Sequence, residues 1–492
     1  MKHRGRHRRR RQGRALRAVL AGTALSLTAA ATLISASQAQ VADGPGALRA
    51  LDSPAARGEL RLTGHRVPAA WLDRLSSAMG RPAAVDAVLG SAGGELRDAA
   101  ECGAGERAAL PVAPAATRAY CWDEADVRGW RPGAVTTSAG AGEDGRWGGR
   151  RVIASAWTSE AGDGADDGRA PLPGPGADGD DAGAGAQRGA DGPGGEVGGE
   201  EIGGGMGTGR AGGGGGGTGA AATGPGLSRV AFVDTDAPGR PRHVSALLVV
   251  PVDGGRDYRG LSSPVSGMAW YRDKLLVTAG AGDRAALYVY DVDRLLRADV
   301  GGDAVGRVPG GWSAHGYRYV LPAVAAYHSA ADGPRPAALS LDRTTTPDSV
   351  VAAERVSADA ARPARLWRYA LREDPAPAGP LAADRAGHVD AVEAYETRAT
   401  GIGGVLAHRA AGAGRGAWYL SHAAGAPESR AALGRQDGEG AEVVECGADR
   451  SRHCWSADAR SLAYREDTGE VWSQSGRMLF ALPLSSLDAS LH

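Results

Sequence analysis

The chain has 492 residues, among them 56 basic and 57 acidic residues, 77 glycines and four cysteines. Nine of the basic residues lie within the first 17 positions, so the remainder carries 47 basic against 57 acidic residues and a net charge of −10. This balance offers no basic surface for a phosphate backbone, which argues against nucleic acid as a partner.

The N-terminus has the pattern of an export signal. A basic run ends at Arg17, an uncharged stretch follows over 18–34, and Ser37-Gln38-Ala39 places small residues where signal peptidase reads them. We predict a signal peptide over residues 1–39 and an extracellular protein, secreted or associated with the cell envelope, with no membrane span after cleavage. The alternative is an uncleaved anchor, although 17 apolar residues are few for a bilayer. The arginine pairs leave open whether export follows the general or the twin-arginine route.

Residues 45–125 are predicted to form a small helical segment that caps the main body. A helix begins within Val67–Leu75, because proline suits the first turn and the apolar side chains share one face. Pro82–Leu89 predicts a second helix, which Gly90 ends.

The four cysteines allow three pairings. In an oxidising compartment the close pairs Cys102–Cys121 and Cys446–Cys454 are the natural disulfides. The rival interpretation is a zinc site that includes His453, although the spacings do not form paired C-x-x-C motifs.

Residues 160–226 are rich in glycine and aspartate and contain few large apolar side chains. Such a segment cannot bury enough apolar surface to offset the entropy of ordering, so we predict a disordered insert. Its flanks, Arg151–Trp157 and Arg229–Val233, have the composition of strands. We interpret the region as a β-hairpin with an expanded turn, not as a boundary between domains.

Short runs of β-branched and aromatic residues recur over residues 126–490, between glycine, aspartate and proline. A loose unit, in which a strand leads through a tight turn into an apolar strand, begins near Gly267, Gly403 and Ser461. Units of about 40–50 residues are typical of propeller blades. We predict an all-β fold, a β-propeller of five or six blades; a β-sandwich with long loops is the alternative.

Several segments give the chain a family resemblance. It resembles secreted, propeller-like proteins of actinobacteria that carry no assigned function, through Gly129–Ser138, Arg146–Gly149, Val230–Asp234, Arg242–Val244 and His315–Pro322. The resemblance implies an extracellular all-β body and no particular reaction. Two departures concern polar residues of that family: Val265–Met268 occupies the place of a stretch that often carries a His ahead of the Trp-Tyr strand, but lacks the His, and a Pro-Glu-Asp-like stretch expected before Leu462 is replaced by Ala457–Ser461. A ligand site built on those residues would be altered here.

Motifs for common enzyme chemistries are missing from the sequence. It contains no Gly-x-Ser-x-Gly elbow, no His-Glu-x-x-His and no phosphate-binding Gly-x-x-x-x-Gly-Lys. We predict no metal and no cofactor. A glycan hydrolase or lyase would need paired carboxylates at the propeller mouth. The strand ends supply five candidates: Asp234, Asp291, Asp342, Glu354 and Glu393.

Tryptophan is the more suggestive residue type, because the chain has 11 Trp and only 2 Phe. An indole joins a flat apolar face to one N–H, which suits stacking on sugars. The predicted ligand-binding residues are Trp130, Trp147, Trp312, His315 and Tyr317. The leading hypothesis is a monomeric, non-enzymatic, secreted binding protein of unidentified ligand, such as an envelope or environmental polysaccharide. The alternative is a secreted hydrolase or lyase that acts on a glycan.

Overall fold

The computed structural model describes residues 45–160 and 226–492, without positions 281, 282, 284, 332, 377–378, 411–415, 424–429 and 459. The predicted signal peptide and the insert lie outside the described residues. Strands make up most of the regular structure and the helices are short, which confirms the all-β class. No helix in these ranges combines the length and hydrophobicity that crossing a bilayer requires.

Residues 45–127 contain both short strands and short helices. The strands are β1 (Arg49–Ala50), β2 (Leu62–Arg66), β3 (Gly94–Glu95), β4 (Arg97–Asp98) and β5 (Arg118–Cys121). The helices are α1 (Pro54–Gly58), α2 (Ala69–Met79), α3 (Val85–Gly90), α4 (Ala104–Arg107) and α5 (Glu124–Val127), with a 3₁₀ turn at Ala99–Glu101. The two predicted helices correspond to α2 and α3.

The main body consists of antiparallel blades, numbered one to five in chain order. Blade one contains β6 (Trp130–Thr137), β7 (Val152–Ser159), β8 (Ser228–Asp234), β9 (Arg242–Val252) and β10 (Asp257–Gly260). Blade two contains β11 (Met268–Tyr271), β12 (Lys274–Thr278), β13 (Leu287–Asp291), β14 (Leu296–Arg297), a separate hairpin of β15 (Val305–Val308) and β16 (Gly311–Ala314), and β17 (Tyr319–Ser329). The 3₁₀ turns here are Ser138–Gly140, Asp253–Gly255 and Val292–Arg294. The outer strands β9 and β17 pair in parallel and join the two blades.

Three more blades follow. Blade three contains β18 (Ala338–Asp342), β19 (Ser349–Ala353), β20 (Ala364–Ala376), β21 (Gly379–Leu381) and β23 (Glu393–Thr397), while the intervening β22 (His388–Val389) pairs with β2. Blade four contains β24 (Ile402–His408), β25 (Ala417–His422), β26 (Ala432–Gln436) and β27 (Ala441–Val443). Blade five contains β28 (Ala463–Arg465), β29 (Glu470–Ser475) and β30 (Met478–Pro483), followed by α6 (Leu484–Asp488). The three units predicted from sequence correspond to the beginnings of blades two, four and five.

The first strand of each blade lies innermost, and these five strands run parallel around one axis. β6, β11, β18 and β24 contact each other in succession, and β28 contacts β6. At their far ends, the Arg272 backbone N–H donates to the Gly140 carbonyl over 2.6 Å, linking blades two and one. The Val135 N–H donates to Ser461 Oγ over 2.6 Å and links blade one to blade five. The described residues therefore form a propeller of five blades, within the predicted five or six.

The N-terminal segment completes the blades and does not sit apart as a cap. β5 pairs with β30, and β4 pairs with β5, so the outer part of blade five comes from the start of the chain. Likewise β1, β2 and β3 extend blades three, two and one. The sequence does not reveal these strands, because two to five residues are too few to display a period.

The hairpin predicted around the insert is confirmed. β7 and β8 pair in antiparallel register, with Val152 opposite Asp234. Every described residue of β8 is buried, and so are the first six of β7, since these strands have a neighbouring strand on each side and neighbouring blades on each face. This double burial explains their continuous apolar runs.

Both predicted disulfides are present, Cys102–Cys121 and Cys446–Cys454. The zinc alternative is wrong, because these sulfurs are bonded to each other. The cross-linked residues are 19 and 8 positions apart, for which chain entropy gives a stabilisation of roughly 3 and 2.5 kcal/mol. Cys121 is the last residue of β5, so the first bridge anchors the strand that closes the ring.

Gly267 lies immediately before β11, where the backbone of blade three passes close. A Cβ at this position would lie 2.5 Å from the Leu339 nitrogen and 2.9 Å from the Ala338 carbonyl carbon. Because backbone atoms cannot move aside as a side chain can, we expect Gly267→Ala to lower the free energy of unfolding by about 1–3 kcal/mol. Urea unfolding measures this change. Gly90→Ala is the matched control, since a methyl there meets nothing within 4 Å; equal costs for the two variants would contradict the prediction.

Candidate functional site

Four of the five inner strands finish in the same way, with a polar or aromatic residue followed by arginine. The pairs are Tyr271-Arg272, Asp342-Arg343, His408-Arg409 and Tyr464-Arg465, in blades two to five. Blade one has Thr137-Ser138 at this place. Because the inner strands run parallel, all these residues lie at one end of the ring. We call this end the polar mouth, made of the four pairs together with Asp348 and Glu466.

Arg343 reaches across the mouth from blade three. Its Nη1 donates to the Ala139 carbonyl of blade one over 2.9 Å and lies 3.5 Å from Glu466 Oε2 of blade five. Its Nε lies 3.7 Å from Asp348 Oδ2. One guanidinium thus joins three blades and stands between two carboxyl groups.

The carboxyl groups of Glu466 and Asp348 both have a raised pKa. Burial raises the pKa of Glu466 above its ordinary value; Arg343 opposes this shift, while nearby carboxylates reinforce it. Burial also raises the pKa of Asp348, against the effects of Arg343, Arg272 and a hydrogen bond with Tyr271. The mouth therefore holds two acids that retain their protons to higher pH than exposed carboxyl groups do.

Blade five contributes a buried cation and an aromatic edge. Arg465 Nη2 donates to the Gly145 carbonyl over 3.0 Å and to Asp467 Oδ2 over 3.2 Å. Burial lowers the pKa of Arg465, but a guanidinium remains charged at any physiological pH. The rings of His408 and Tyr464 meet edge to face at 5.1 Å, and both residues are half-buried.

The wall behind the mouth is a buried ion-pair network. Arg368 of β20 donates to Asp342 Oδ2 and Ser349 Oγ, and its Nε donates to Glu393 Oε2 over 2.8 Å. The side chains of Arg368 and Asp342 are 7% and 1% exposed. Asp342 also accepts from the Thr344 N–H over 2.8 Å. This network fixes the backbone from which Arg343 projects.

One acidic cluster near the mouth has the spacing of metal ligands. It comprises Asp273, Asp291 and Asp293, in and beside blade two. The Lys274 ammonium lies within it, 3.2 Å from Asp291 Oδ2 and bonded to Asp273 as well. Trp147 Nε1 donates to Asp293 over 3.4 Å. Two of the three carboxylates are therefore already paired with the ammonium group of Lys274.

Two of the predicted ligand-binding tryptophans are buried. Trp147 is 5% exposed and packs against Phe232 and Trp270, with ring centroids 5.0 and 5.4 Å away. Trp312 is also 5% exposed and stacks on Tyr258 at 5.5 Å. The glycine-rich flanking sequence predicts surface positions for both tryptophans. In the structure, neighbouring residues bury both indole rings and leave little ring surface for a ligand.

Two others meet around an internal cation. Trp130 and Tyr317 contact each other at 5.8 Å, and the Arg229 guanidinium carbon lies 4.5 Å over the first ring and 5.2 Å over the second. His315 stands apart in a turn with a φ of 52°, its Nδ1 2.9 Å from the Asp303 carbonyl oxygen. The five predicted residues therefore do not form one surface, and ligand binding by them stays a prediction.

The predicted carboxylates are all paired with cations. Asp234 pairs with Arg150, Asp291 with Lys274 and Arg294, Glu354 with Arg362, and Asp342 and Glu393 with Arg368. Only Asp342 belongs to the polar mouth. The sequence reasoning missed Arg343, Asp348 and Glu466. A signal was available for the first, because arginine recurs at the end of four inner strands.

The raised pKa of Glu466 makes a prediction about stability. The unfolded chain releases this proton near pH 4.3, whereas the folded chain holds it to higher pH. The stabilisation by the protonated form is therefore complete below about pH 4.3 and is lost as pH rises through the folded pKa. We expect Glu466→Gln to be more stable than the unmodified protein at pH 7.5, and the advantage to shrink at pH 4.

Urea unfolding at the two pH values measures this difference. Glu439→Gln, in an exposed turn between β26 and β27, is the control and is expected to change stability little at either pH. An advantage for Glu466→Gln that is the same at both pH values would show that ionisation is not its cause.

Comparison with known proteins adds little. No family model and no curated protein matches the chain. Among solved structures, the chain is similar to Drosophila Plexin A in complex with Semaphorin 1b, with 10% identity, 52% of this chain and 69% of that chain covered, and a TM-score of 0.22. A similarity this distant carries no argument, so the propeller rests on the strand pairing described above.

Proposed function

We propose that the protein is a secreted binding protein that holds a polysaccharide against the polar mouth. The observation that carries the proposal is the convergence of four arginine-terminated strand ends at one end of the ring. Guanidinium groups beside aromatic rings supply both hydrogen-bond donors for sugar hydroxyls and flat surfaces for sugar rings. The export-signal pattern and the two disulfides support an extracellular place of action.

The test is a depletion assay on insoluble material. The chain from Pro45 onward is mixed with bacterial cell wall and with several insoluble polysaccharides, and the supernatant is analysed for lost protein and for released sugar. We expect lost protein without released sugar, and a weaker loss for Tyr464→Leu. Tyr120→Leu is the matched control, because Tyr120 is also half-buried but lies in β5, at the outer side of the same blade.

A second candidate function is glycan cleavage by a hydrolase or lyase. Asp348 and Glu466 favour it, since they flank Arg343 and both have a raised pKa. An acid that keeps its proton can donate it to a departing sugar oxygen, while a second carboxylate acts as base or nucleophile. Sugar released by the unmodified protein and not by Glu466→Gln would support cleavage over simple binding. If no polysaccharide removes protein from the supernatant and no sugar is released, both functions are contradicted.

A further inference from the structure

Four arginines lie at the polar mouth, and those of three consecutive blades are not fully buried. Arg272 of blade two and Arg409 of blade four are exposed, and Arg343 of blade three stands between them, half-buried. The three positions are tied together: the Arg409 N–H donates to Thr344 Oγ1 over 3.0 Å, and Arg272 and Arg343 both act on the Asp348 carboxyl. We call these three residues the arginine arc.

Several other charged groups near the mouth form ion pairs within the fold. Asp342 pairs with Arg368, and Asp273 pairs with Lys274. Asp467 bridges Arg465 and Arg151, at 3.2 and 3.1 Å. The arginine arc stands beside the Asp348 and Glu466 carboxyl groups, 3.7 and 3.5 Å from Arg343.

We propose that the polar mouth recognises an acidic saccharide, whose carboxylate or sulfate group lies against Arg272, Arg343 and Arg409. This inference rests on the proposed function and specifies its substrate class. A guanidinium offers a planar pair of donors that matches the two oxygens of a carboxylate or sulfate group, and charge-assisted hydrogen bonds are about twice as strong as neutral ones.

The charge of the whole chain makes this inference specific. Beyond its basic N-terminus the chain carries a net charge of −10, so general electrostatics repels polyanions. Attraction of an acidic polymer must then arise from a local group of cations. Such attraction weakens as salt screens it, and the Debye length is about 10 Å at 0.1 M salt.

The experiment measures binding of the chain from Pro45 onward to soluble polygalacturonate, dextran sulfate and neutral dextran, by affinity electrophoresis at two salt concentrations. We expect binding to one or both acidic polymers, at least tenfold weaker affinity for Arg409→Glu, and a loss of affinity at high salt. The first two polymers distinguish a carboxylate from a sulfate.

Arg131→Glu is the matched control. It reverses an exposed charge of blade one, which pairs with Glu160 at the end of β6 opposite to the polar mouth. Because Arg131 lies outside the arginine arc, this variant should retain the affinity within about twofold.

Each outcome decides between the two proposals. Binding to neutral dextran as strong as to the acidic polymers would overturn the acidic specificity and leave the binding function standing. Acidic binding weakened equally by Arg131→Glu and Arg409→Glu would overturn the location at the arginine arc. No retention by any polymer, together with no depletion on insoluble polysaccharides, would overturn both proposals. Arg272→Glu repeats the test on a second exposed arginine, and circular dichroism confirms that each variant is folded.

Discussion

Arg368→Met is expected to lower the free energy of unfolding by about 3–5 kcal/mol, because it leaves the Asp342 carboxylate buried without its cation. Asp342 is 1% exposed, and its remaining partners are the N–H and hydroxyl groups of Thr344. The variant also removes a donor to Glu393 and a cation 5.5 Å from the Trp418 ring. Urea unfolding at pH 7 measures the loss.

The same strand supplies a matched control. Arg365 is three residues earlier in β20 and pairs with Glu59, whose side chain is 56% exposed. Arg365→Met removes an equal charge from a solvated pair, so its expected cost is below about 1 kcal/mol. Adding Asp342→Asn to Arg368→Met should recover part of the stability, since an amide costs less to bury than an unpaired carboxylate. A loss no larger for Arg368→Met than for Arg365→Met would show that the network contributes nothing beyond a surface pair.

This network also explains how the fold prepares the candidate site. Asp342 precedes Arg343 directly, and Ser349, which follows Asp348, accepts a hydrogen bond from Arg368. One buried guanidinium therefore holds both ends of the turn between β18 and β19. Arg343 and Asp348 lie at the two ends of that turn. The Arg343 guanidinium lies 3.7 Å from Asp348 and 3.5 Å from Glu466 of blade five. A binding surface held from behind in this way loses little entropy when a ligand orders it.

Local sequence signals predicted the elements that form from neighbouring residues. The apolar faces of α2 and α3, the hairpin of β11 and β12, and the β7–β8 pairing across the insert all follow from short-range pattern. The close cysteine pairs likewise predicted both disulfides. Each of these features is determined by residues that are close in sequence, or by a local composition that is compatible with only one type of secondary structure.

The candidate site was not predicted, because its residues are separated by whole blades. Glu466 directly follows β28, and its neighbouring residues do not distinguish it from an acidic residue of an ordinary exposed turn. Only the closure of five blades brings it to 3.5 Å from Arg343, which is 123 positions earlier. The expected surface positions of Trp147 and Trp312 are wrong, because the glycine-rich flanking sequence does not reveal that the surrounding fold buries both rings. Long-range closure, not local preference, decides which polar groups meet.

Removal of residues 45–122 is expected to abolish cooperative unfolding. This segment supplies β1 to β5, and β5 covers the edge of β30 over four residue pairs. Without it, the edge around Met478 and Phe480 would be open, and Leu96 and Trp122 would be missing from the core that they share with Trp157 and Trp472. An uncovered apolar edge strand promotes association between chains. The shortened chain should bind a hydrophobic dye and show no sharp transition in urea.

A circular permutant separates the strands from their place in the chain. Residues 45–122 are moved behind His492 through a flexible linker, so that every strand is present and only the chain order changes. We expect this permutant to regain a cooperative transition, because closure of blade five depends on pairing between β5 and β30 and on the Cys102–Cys121 bridge within the moved segment.

The chain that begins at Pro45 serves as the reference. A cooperative transition of unchanged midpoint in the shortened chain would mean that blades one to five are stable without their N-terminal strands. Failure of both the shortened chain and the permutant would mean that the covalent link from Trp122 to Asp123 is itself required.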